Sequence, residues 1–239
     1  MSNSDQNEPP QETAGDIAHA AGRALTGAIP FAGAAAIEVF NKVVTPPIEK
    51  RLHEWRVEVG ERLTRLEEQG LADCDELPNN DEFVTIAMQA TQVALRNHDA
   101  EKLDALRNAV INTAMGNAPE DFYQRTFLHY IDILTPLHVK FIQLYRDPKQ
   151  WFVDTEIKPP SFSITSSKMQ LIRTAFPDIA KQEGLIRLVV NDLNNRGLIM
   201  TADLNTMMTG DAAWNKLSTN LGDSFLDYIA DPIPDPDDG

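Results

Sequence analysis

Apolar residues recur at helical spacing along most of this chain, and this periodicity constrains its fold more than any other feature. The clearest stretch has apolar side chains spaced by four and three positions: Ile48, Leu52, Trp55, Val59, Leu63 and Leu66. Residues three or four apart share one face of an α-helix, so these side chains form a single stripe. Charged residues occupy the positions between them. The pattern predicts a mainly α-helical protein with an amphipathic helix in this stretch.

Capping residues divide the following stretch into short helices. Asp81 and Asp99 each precede an apolar run with helical spacing, where an aspartate side chain can cap the helix. Thr135 and Pro136 mark a helix restart, because proline is well tolerated in the first turn. Helices joined by short loops pack as antiparallel neighbours in a bundle. We therefore predict a helical bundle body over residues 14–153.

The first part of this body, residues 14–44, is rich in glycine and alanine and carries few charges. Small residues recur every four positions and would let another helix approach closely: Ala20, Ala24, Ala28, Ala32 and Ala36. Large apolar residues beside them are the predicted interaction residues: Ile29, Phe31, Ile37 and Phe40. Two interpretations stay open. The segment is either a core helix pair broken at Pro30, or an element released onto a membrane or another copy through residues 27–44.

Two further features of the first half bear on membrane insertion and on the next helix. The uncharged stretch 24–37 has 14 positions, fewer than the roughly 20 that a spanning helix needs, so no transmembrane helix is expected. Thr45, Pro46 and Pro47 are expected to end the apolar segment and to start the helix that carries the Trp55 stripe.

The segment 154–167 is the best candidate for a linker, since it contains Pro159, Pro160 and four serines. After it the pattern predicts a helix, a second helix that ends at the sequence RGLI, a hairpin over 201–218 and a closing helix. This order is that of a winged helix. We therefore predict a winged-helix-like domain over residues 168–230, with a short strand at 198–200.

The charge balance of that domain decides between protein and DNA as its partner. Arg187 and Arg196 lie on or after its second helix, which would be the reading helix on DNA. Residues 160–230 hold six basic and seven acidic residues, a net charge of −1, and the whole chain has a net charge of −15. Domains that bind phosphate backbones are normally basic. Nucleic-acid binding is therefore not expected, and Arg187 and Arg196 are predicted to contact protein.

The two ends of the chain are polar and rich in proline. Residues 1–13 and the acidic segment 231–239 contain too few apolar side chains to offset the entropy lost on ordering, so both are predicted to be disordered. The chain begins with acidic residues and prolines and has one cysteine, Cys74, which argues against a cleaved signal peptide and an oxidising compartment. We expect a cytoplasmic protein.

No group of residues has the spacing of a catalytic, cofactor or metal site. The five histidines lack the i, i+4 pairing of a zinc protease, and one cysteine excludes a cysteine-rich zinc site. His129 and His138, with Asp132 between them, could approach one another, but this spacing supplies too few ligands for a metal. Acidic neighbours are expected to raise the pKa of the Cys74 thiol, unlike that of a catalytic cysteine. We predict no enzymatic activity and no cofactor.

Six sequence stretches resemble a family of bacterial helical proteins. The first two are LRNAVINTA and FLHYIDILTPLHVKFIQLYRDP in the predicted body. The others are the initial IPFAG with EKRLHEW, and the final RGLI with TNLGDSF. The resemblance spans residues 29–229 and implies a helical body with a winged-helix-like C-terminal region. It implies no chemistry.

The overall plan also resembles the abortive-infection alpha type of phage-defence proteins. These have a helical body with a later histidine and an L-(T/S)-P stretch before a winged-helix-like part, and the L-(T/S)-P stretch corresponds here to Leu134 to Pro136. A defence role would follow only by association with that plan. The expected function is that of a non-enzymatic effector or adaptor in the bacterial cytoplasm, which contacts a protein partner, another copy or a membrane. The alternative is a winged-helix DNA-binding regulator.

Overall fold

The computed structural model describes residues 34–162, 165–200 and 203–233, without the side chains of residues 34–37 and 165. Several predictions fall outside these residues: the disordered segment 1–13, most of the segment 14–44 with Ile29 and Phe31, the side chain of Ile37, and the tail from residue 234 onward.

The described part of the chain is mainly α-helical, as predicted. Its helices are α1 Ala34–Glu68, α2 Asp81–Arg96, α3 Ala100–Ala114, α4 Asp121–Ile133, α5 Pro136–Arg146, α6 Pro148–Asp154, α7 Lys168–Ala175, α8 Glu183–Asn195 and α9 Asn220–Ile229. Short 3-10 turns lie at Leu77–Asn79, Pro177–Ile179 and Asp211–Trp214. Two strands of two residues each complete the described elements: β1 Thr165–Ser166 and β2 Met208–Thr209.

The chain divides into two compact units, residues 1–60 and 61–239. In the first unit the described residues belong to α1, and Trp55 is only 5% exposed. Ile48, Leu52 and Val59 are half-buried, while the charged positions between them are mostly exposed. The predicted apolar stripe is therefore confirmed as the less exposed face of this helix.

The prediction that Thr45, Pro46 and Pro47 separate two helices is wrong. Both prolines lie inside α1, which begins at Ala34 and continues to Glu68. A proline removes one backbone hydrogen bond, but its fixed φ of about −65° suits a helix. Two adjacent prolines remove backbone hydrogen bonds from a single part of the helix, and α1 continues on both sides of that part.

Side-chain caps set the starts of several helices in the second unit. Asn80, and not the predicted Asp81, caps α2: its Oδ1 accepts a hydrogen bond from the Phe83 amide at 3.1 Å. Asp99 caps α3 as predicted, because its Oδ1 accepts from the Lys102 amide at 3.3 Å. Thr135 and Pro136 start α5 as predicted. These caps satisfy amides that have no partner within the helix.

Aromatic side chains join the helical body to the C-terminal helices. Phe127 of α4 lies 5.4 Å from Phe225 of α9, measured between ring centroids. Phe141 of α5 stacks on Phe176 at 4.7 Å, with an angle of 7° between the ring planes. All of these rings except Phe176 are fully buried. This core includes residues from both sides of the predicted linker.

The predicted linker 154–167 is consequently not the border between the two compact units. α6 ends at Asp154, and residues 156–162 form no helix or strand. The segment nevertheless lies inside the second unit, which begins at Glu61. Apolar side chains on both of its sides bury one another, and that burial outweighs the local interruption by proline.

The C-terminal part is held by short backbone pairings. The predicted strand at 198–200 forms one bridge, Ile199 with Ser218, and Met200 donates a further backbone hydrogen bond to Leu217 at 2.7 Å. β2 lies within the predicted hairpin 201–218 but pairs antiparallel with β1 instead of with another strand of that hairpin.

Candidate functional site

An open groove of about 690 Å³ lies in the second unit, between α3, α5, α6 and α9. Its volume falls within the roughly 300–1,000 Å³ of ligand-binding pockets. Apolar side chains form much of its lining: Ile131, Leu134, Val139, Trp151, Phe225 and Leu226. Val139 is half-buried, whereas the other five are nearly inaccessible to solvent. The groove therefore has an apolar base in which Val139 is the most accessible side chain.

Charged residues surround this base. Glu101 and Asp104 come from α3, Asp147 precedes α6, and Asp154 ends it. Lys102 and Arg146 are the basic residues among those that line the groove. The lining therefore carries four acidic and two basic residues, in keeping with the net charge of −15 of the whole chain.

Two asparagines of α3, of which Asn108 lines the groove, form hydrogen bonds with the end of α9. Asn108 Nδ2 donates to the Ile229 carbonyl at 2.9 Å. Asn112 Nδ2, one helical turn further on, donates to the carbonyls of Tyr228 and Ala230 at 3.0 Å each. The last carbonyl groups of a helix have no hydrogen-bond partner within that helix. Here the side-chain amides of the two asparagines donate to carbonyl groups at the end of α9. They fix the end of α9 against α3.

Arg62 extends this cluster of polar contacts at the end of α9. Its guanidinium donates a hydrogen bond to Asn108 Oδ1, which orients that amide toward α9. Arg62 also lies 3.5 Å from Asp104 and 3.8 Å from Asp231. Both asparagines belong to the LRNAVINTA stretch, which therefore serves packing. Their i, i+4 spacing on an otherwise apolar face is the signal that sequence reasoning missed.

A buried polar network lies beside the asparagines. Thr113 Oγ1 donates to the Ala109 carbonyl at 2.8 Å and lies 3.1 Å from Tyr228 Oη. Gln124, which is 1% exposed, donates to the Pro119 carbonyl at 2.7 Å and to Glu82. Burial raises the pKa of Tyr228 to about 12. These groups therefore satisfy one another within the fold.

The RGLI and TNLGDSF stretches also meet in the structure. Thr219 Oγ1 donates to the Gly197 carbonyl at 2.6 Å and accepts from the Gly222 amide at 3.0 Å. A Cβ atom added at Gly222 would lie 2.2 Å from the Leu198 carbonyl oxygen, so only glycine allows this approach. Gly197 has a φ of +73°, which ends α8 with a left-handed residue. Both stretches therefore have structural roles.

The predicted interaction residues Arg187 and Arg196 already have partners in the fold. Arg187 donates to Glu183 Oε1 from Nε at 3.0 Å and from Nη2 at 2.8 Å. These hydrogen bonds are the main cause of the lowered pKa of Glu183. Arg196 pairs with Asp192 at 3.0 Å, and its guanidinium carbon lies 5.8 Å from the centre of the Tyr130 ring. Neither contact brings the two arginines together at one site.

Phe40 is the predicted interaction residue whose side chain the structure describes in the first unit. It is 39% exposed, and its neighbours Val39 and Val43 are 62% and 65% exposed. Val39 and Val43 are four residues apart and share one face of α1. Lys42 and Glu38 form an ion pair of 2.8 Å beside them. This apolar face of α1 is a second candidate surface.

The histidines that sequence reasoning considered form no metal site. Across the described residues, no group of three or more histidine, cysteine, aspartate or glutamate side chains is arranged to hold a metal ion. His129 is exposed, whereas His138 is half-buried and belongs to the capping box of Thr135. Burial lowers the pKa of His138, and Asp192 opposes that effect. Asp132 instead pairs with Arg96 at 2.8 Å.

Cys74 and Lys168 are the remaining groups with chemically informative surroundings. Burial, together with Glu67, Asp73 and Asp75, raises the pKa of the Cys74 thiol, in the direction predicted from its acidic neighbours. Lys168 is 3% exposed, and its ammonium donates to the carbonyls of Ala213 and Asn215 at 2.9 Å each. Burial lowers the pKa of Lys168 to about 8. This lysine holds the 3-10 turn Asp211–Trp214 against the start of α7.

No family model, no curated protein and no solved structure matches this chain. The resemblances to the bacterial helical family and to abortive-infection alpha proteins therefore stay predictions. Within the described ranges, no helix has the length and apolar character that crossing a membrane requires.

Proposed function

We propose that this chain is a non-enzymatic interaction protein that contacts another protein through the apolar face of α1. The exposure of Val39, Phe40 and Val43 carries this proposal. Scattered apolar residues are normal on a protein surface, but a contiguous exposed group marks a contact site. The face adjoins the glycine- and alanine-rich segment 14–33, whose composition also suits close helix contacts.

The charge of the chain favours protein over lipid as the partner of this face. Helices that lie on membranes normally carry lysines and arginines on their polar side, which attract anionic headgroups. Here the exposed Lys42 is paired with Glu38, and the chain as a whole carries a net charge of −15. Anionic lipid surfaces would repel such a chain. A second copy of the chain carries the same apolar face and is the first partner to test.

We propose a protein-binding role for the winged-helix-like C-terminal part as well. The order of α7, a 3-10 turn, α8, the Ile199–Ser218 bridge and α9 supports this assignment. On α8, Leu188 is 64% exposed, and the neighbouring Arg187 is neutralised by Glu183. An exposed leucine beside a paired arginine suits a protein surface better than a phosphate backbone. DNA binding is the alternative that a salt-dependent binding assay tests.

The biological context that we propose for this protein rests on the two resemblances alone. They suggest a cytoplasmic effector or adaptor in bacteria, with a role in phage defence. The identity of neighbouring genes is the observation that tests this setting, because defence genes occur together. A neighbourhood of unrelated metabolic genes would argue against it.

The test of the main proposal is a double substitution, Val39→Glu with Val43→Glu, in the full chain. We expect it to remove self-association, measured by size-exclusion chromatography with light scattering, while the circular dichroism spectrum stays helical. The matched control is Val57→Glu, since Val57 is 43% exposed on the same side of the same helix but lies about 20 Å further along it than Val43. The control should keep the oligomeric state of the wild type.

Two further measurements separate the alternatives. Removal of residues 1–44 should leave a folded chain that no longer self-associates; if the segment were part of the core, the remainder would unfold. Flotation with anionic liposomes should recover no protein. If the wild type floats with the liposomes and the double substitution abolishes this flotation, the apolar face of α1 binds membranes. If the wild type is monomeric and the substitutions do not change its oligomeric state, self-association is refuted.

A further inference from the structure

We propose that the groove between α3, α5, α6 and α9 binds an amphipathic helical segment of a partner protein, with basic residues flanking its apolar face. This surface lies in the second unit and is separate from the apolar face of α1. Its test can therefore fail while the proposed self-association holds, and the reverse is also true.

The shape of the groove suits a helical occupant. Three helices and the end of α9 line this open groove. Val139 and Ile229 are half-buried in the lining, so their remaining surface is available to a ligand. An amphipathic helix docks into such grooves with apolar residues at i, i+3, i+4 and i+7. The nearly inaccessible Leu134 and Phe225 form a floor that is already packed from below.

The basic residues of the lining are already satisfied within the chain. Arg146 Nη1 donates to Asp227 Oδ1 at 2.7 Å, and its guanidinium lies 3.9 Å from Asp223. Lys102 Nζ donates to the Asp132 carbonyl at 2.7 Å. The charge of Arg146 is therefore balanced by carboxylates, whereas Lys102 keeps its charge, and four acidic residues outnumber these two cations in the lining. An anionic partner would also meet the net negative charge of the groove lining.

Two acidic residues of the lining keep an uncompensated charge. Asp147 Oδ1 accepts from the Gln150 amide at 3.0 Å, and Asp154 Oδ1 accepts from Gln150 Nε2 at 2.7 Å. Both donors are neutral, and among the described residues no cation forms an ion pair with either carboxylate. On α3, Glu101 pairs with Lys140 at 2.8 Å, and its side chain remains 57% exposed. The uncompensated carboxylates at the two ends of α6 thus favour a partner with basic residues beside its apolar face.

The probe is a fluorescent peptide of about 18 residues, or five helical turns, with leucines on one face and lysines and arginines on its flanks. A second peptide has the same leucines and carries glutamates in place of the basic residues. A third has the composition of the first with its apolar face scrambled. Fluorescence anisotropy with the full chain measures the binding of each peptide.

Substitutions in the groove give the matched test. Ala105→Trp fills the channel from α3, where Ala105 is half-buried in the lining. Ala87→Trp is its control, because Ala87 is equally half-buried but lies on α2 outside the groove. Asp147→Asn with Asp154→Asn removes two charges, while asparagine keeps the cap of α6. Circular dichroism checks that each variant is folded.

We expect the basic peptide to bind the wild type and the Ala87→Trp control, and to lose at least tenfold in affinity on Ala105→Trp. The double asparagine variant should lose roughly three- to tenfold, the effect of two exposed charge contacts, and should show a weaker dependence on salt. The scrambled and acidic peptides should bind at least tenfold more weakly. Equal binding of basic and acidic peptides, or binding that Ala105→Trp does not change, would overturn the proposal. So would a folded wild type that binds none of the three.

Discussion

The buried ammonium of Lys168 predicts an unusual dependence of stability on pH. Lys168 is 3% exposed, and burial lowers its pKa in the folded state from 10.5 to about 8. Between these two values the unfolded chain holds a proton that the folded chain has released. The free energy of unfolding must then rise with pH in this window, since stability increases wherever the unfolded state binds more protons. Lys168→Met removes this contribution.

The expected size of the effect follows from the two pKa values. Each pKa unit corresponds to about 1.4 kcal/mol, so the full shift amounts to about 3 kcal/mol. Between about pH 7.5 and pH 10 the wild type should gain about 2 kcal/mol relative to Lys168→Met. Burial also raises the pKa of Tyr145 and that of Tyr228, the latter to about 12, and these groups lower stability above about pH 10. Both tyrosines are present in the variant, so the difference between the two proteins cancels them.

Urea denaturation followed by tryptophan fluorescence, at several pH values between about 7.5 and 10, measures the effect. Lys149→Met is the control, because Lys149 is exposed and its side chain stays in water in both states. It should show the same pH dependence as the wild type. If the wild type and Lys168→Met gave parallel curves, the ammonium of Lys168 would not be desolvated in the fold, and the reasoning would be wrong.

Three further predictions follow from particular side chains and segments. Trp55→Ala should lower the free energy of unfolding by about 3–5 kcal/mol, measured by urea denaturation, because a buried aromatic side chain is lost and a cavity forms; an unchanged midpoint would show that the stripe faces solvent. Limited proteolysis should cut first within 154–167, and the fragments should stay together on gel filtration; resistance across this segment would contradict the prediction. Gly222→Ala should destabilise by about 1–3 kcal/mol because its Cβ would meet the Leu198 carbonyl, whereas Gly184→Ala, whose Cβ meets nothing within 4 Å, should not destabilise.

Much of the helical pattern was predictable because it rests on local chemistry. The periodic stripe around Trp55, the Asp99 cap and the Thr135–Pro136 restart all involve residues within a few positions of each other. Two local predictions were wrong, one on a helix cap and one on a helix boundary. Asn80 and Asp81 are adjacent capping residues, and the helix selected Asn80. Adjacent prolines are tolerated inside α1, although they usually mark a boundary.

The candidate surfaces were harder to predict because they combine residues from distant parts of the chain. The groove brings together α3, α5, α6 and α9, and no local pattern indicates which of their faces remain uncovered. Arg187 and Arg196 looked available in the sequence, yet Glu183, Asp192 and Tyr130 engage them. Charge counts along a sequence cannot distinguish a paired side chain from a free one.

The sequence by itself determined that the chain is mainly helical, where most of its helices lie and how acidic it is, because helix formation and net charge depend on neighbouring residues and on composition. Only the tertiary structure decided that the segments on both sides of 154–167 share one core, that Asn108 and Asn112 hold the end of α9, and that Lys168 is buried. Those outcomes depend on which apolar surfaces cover one another. Burial and hydrogen bonding between distant residues follow from that choice and leave little local trace in the sequence.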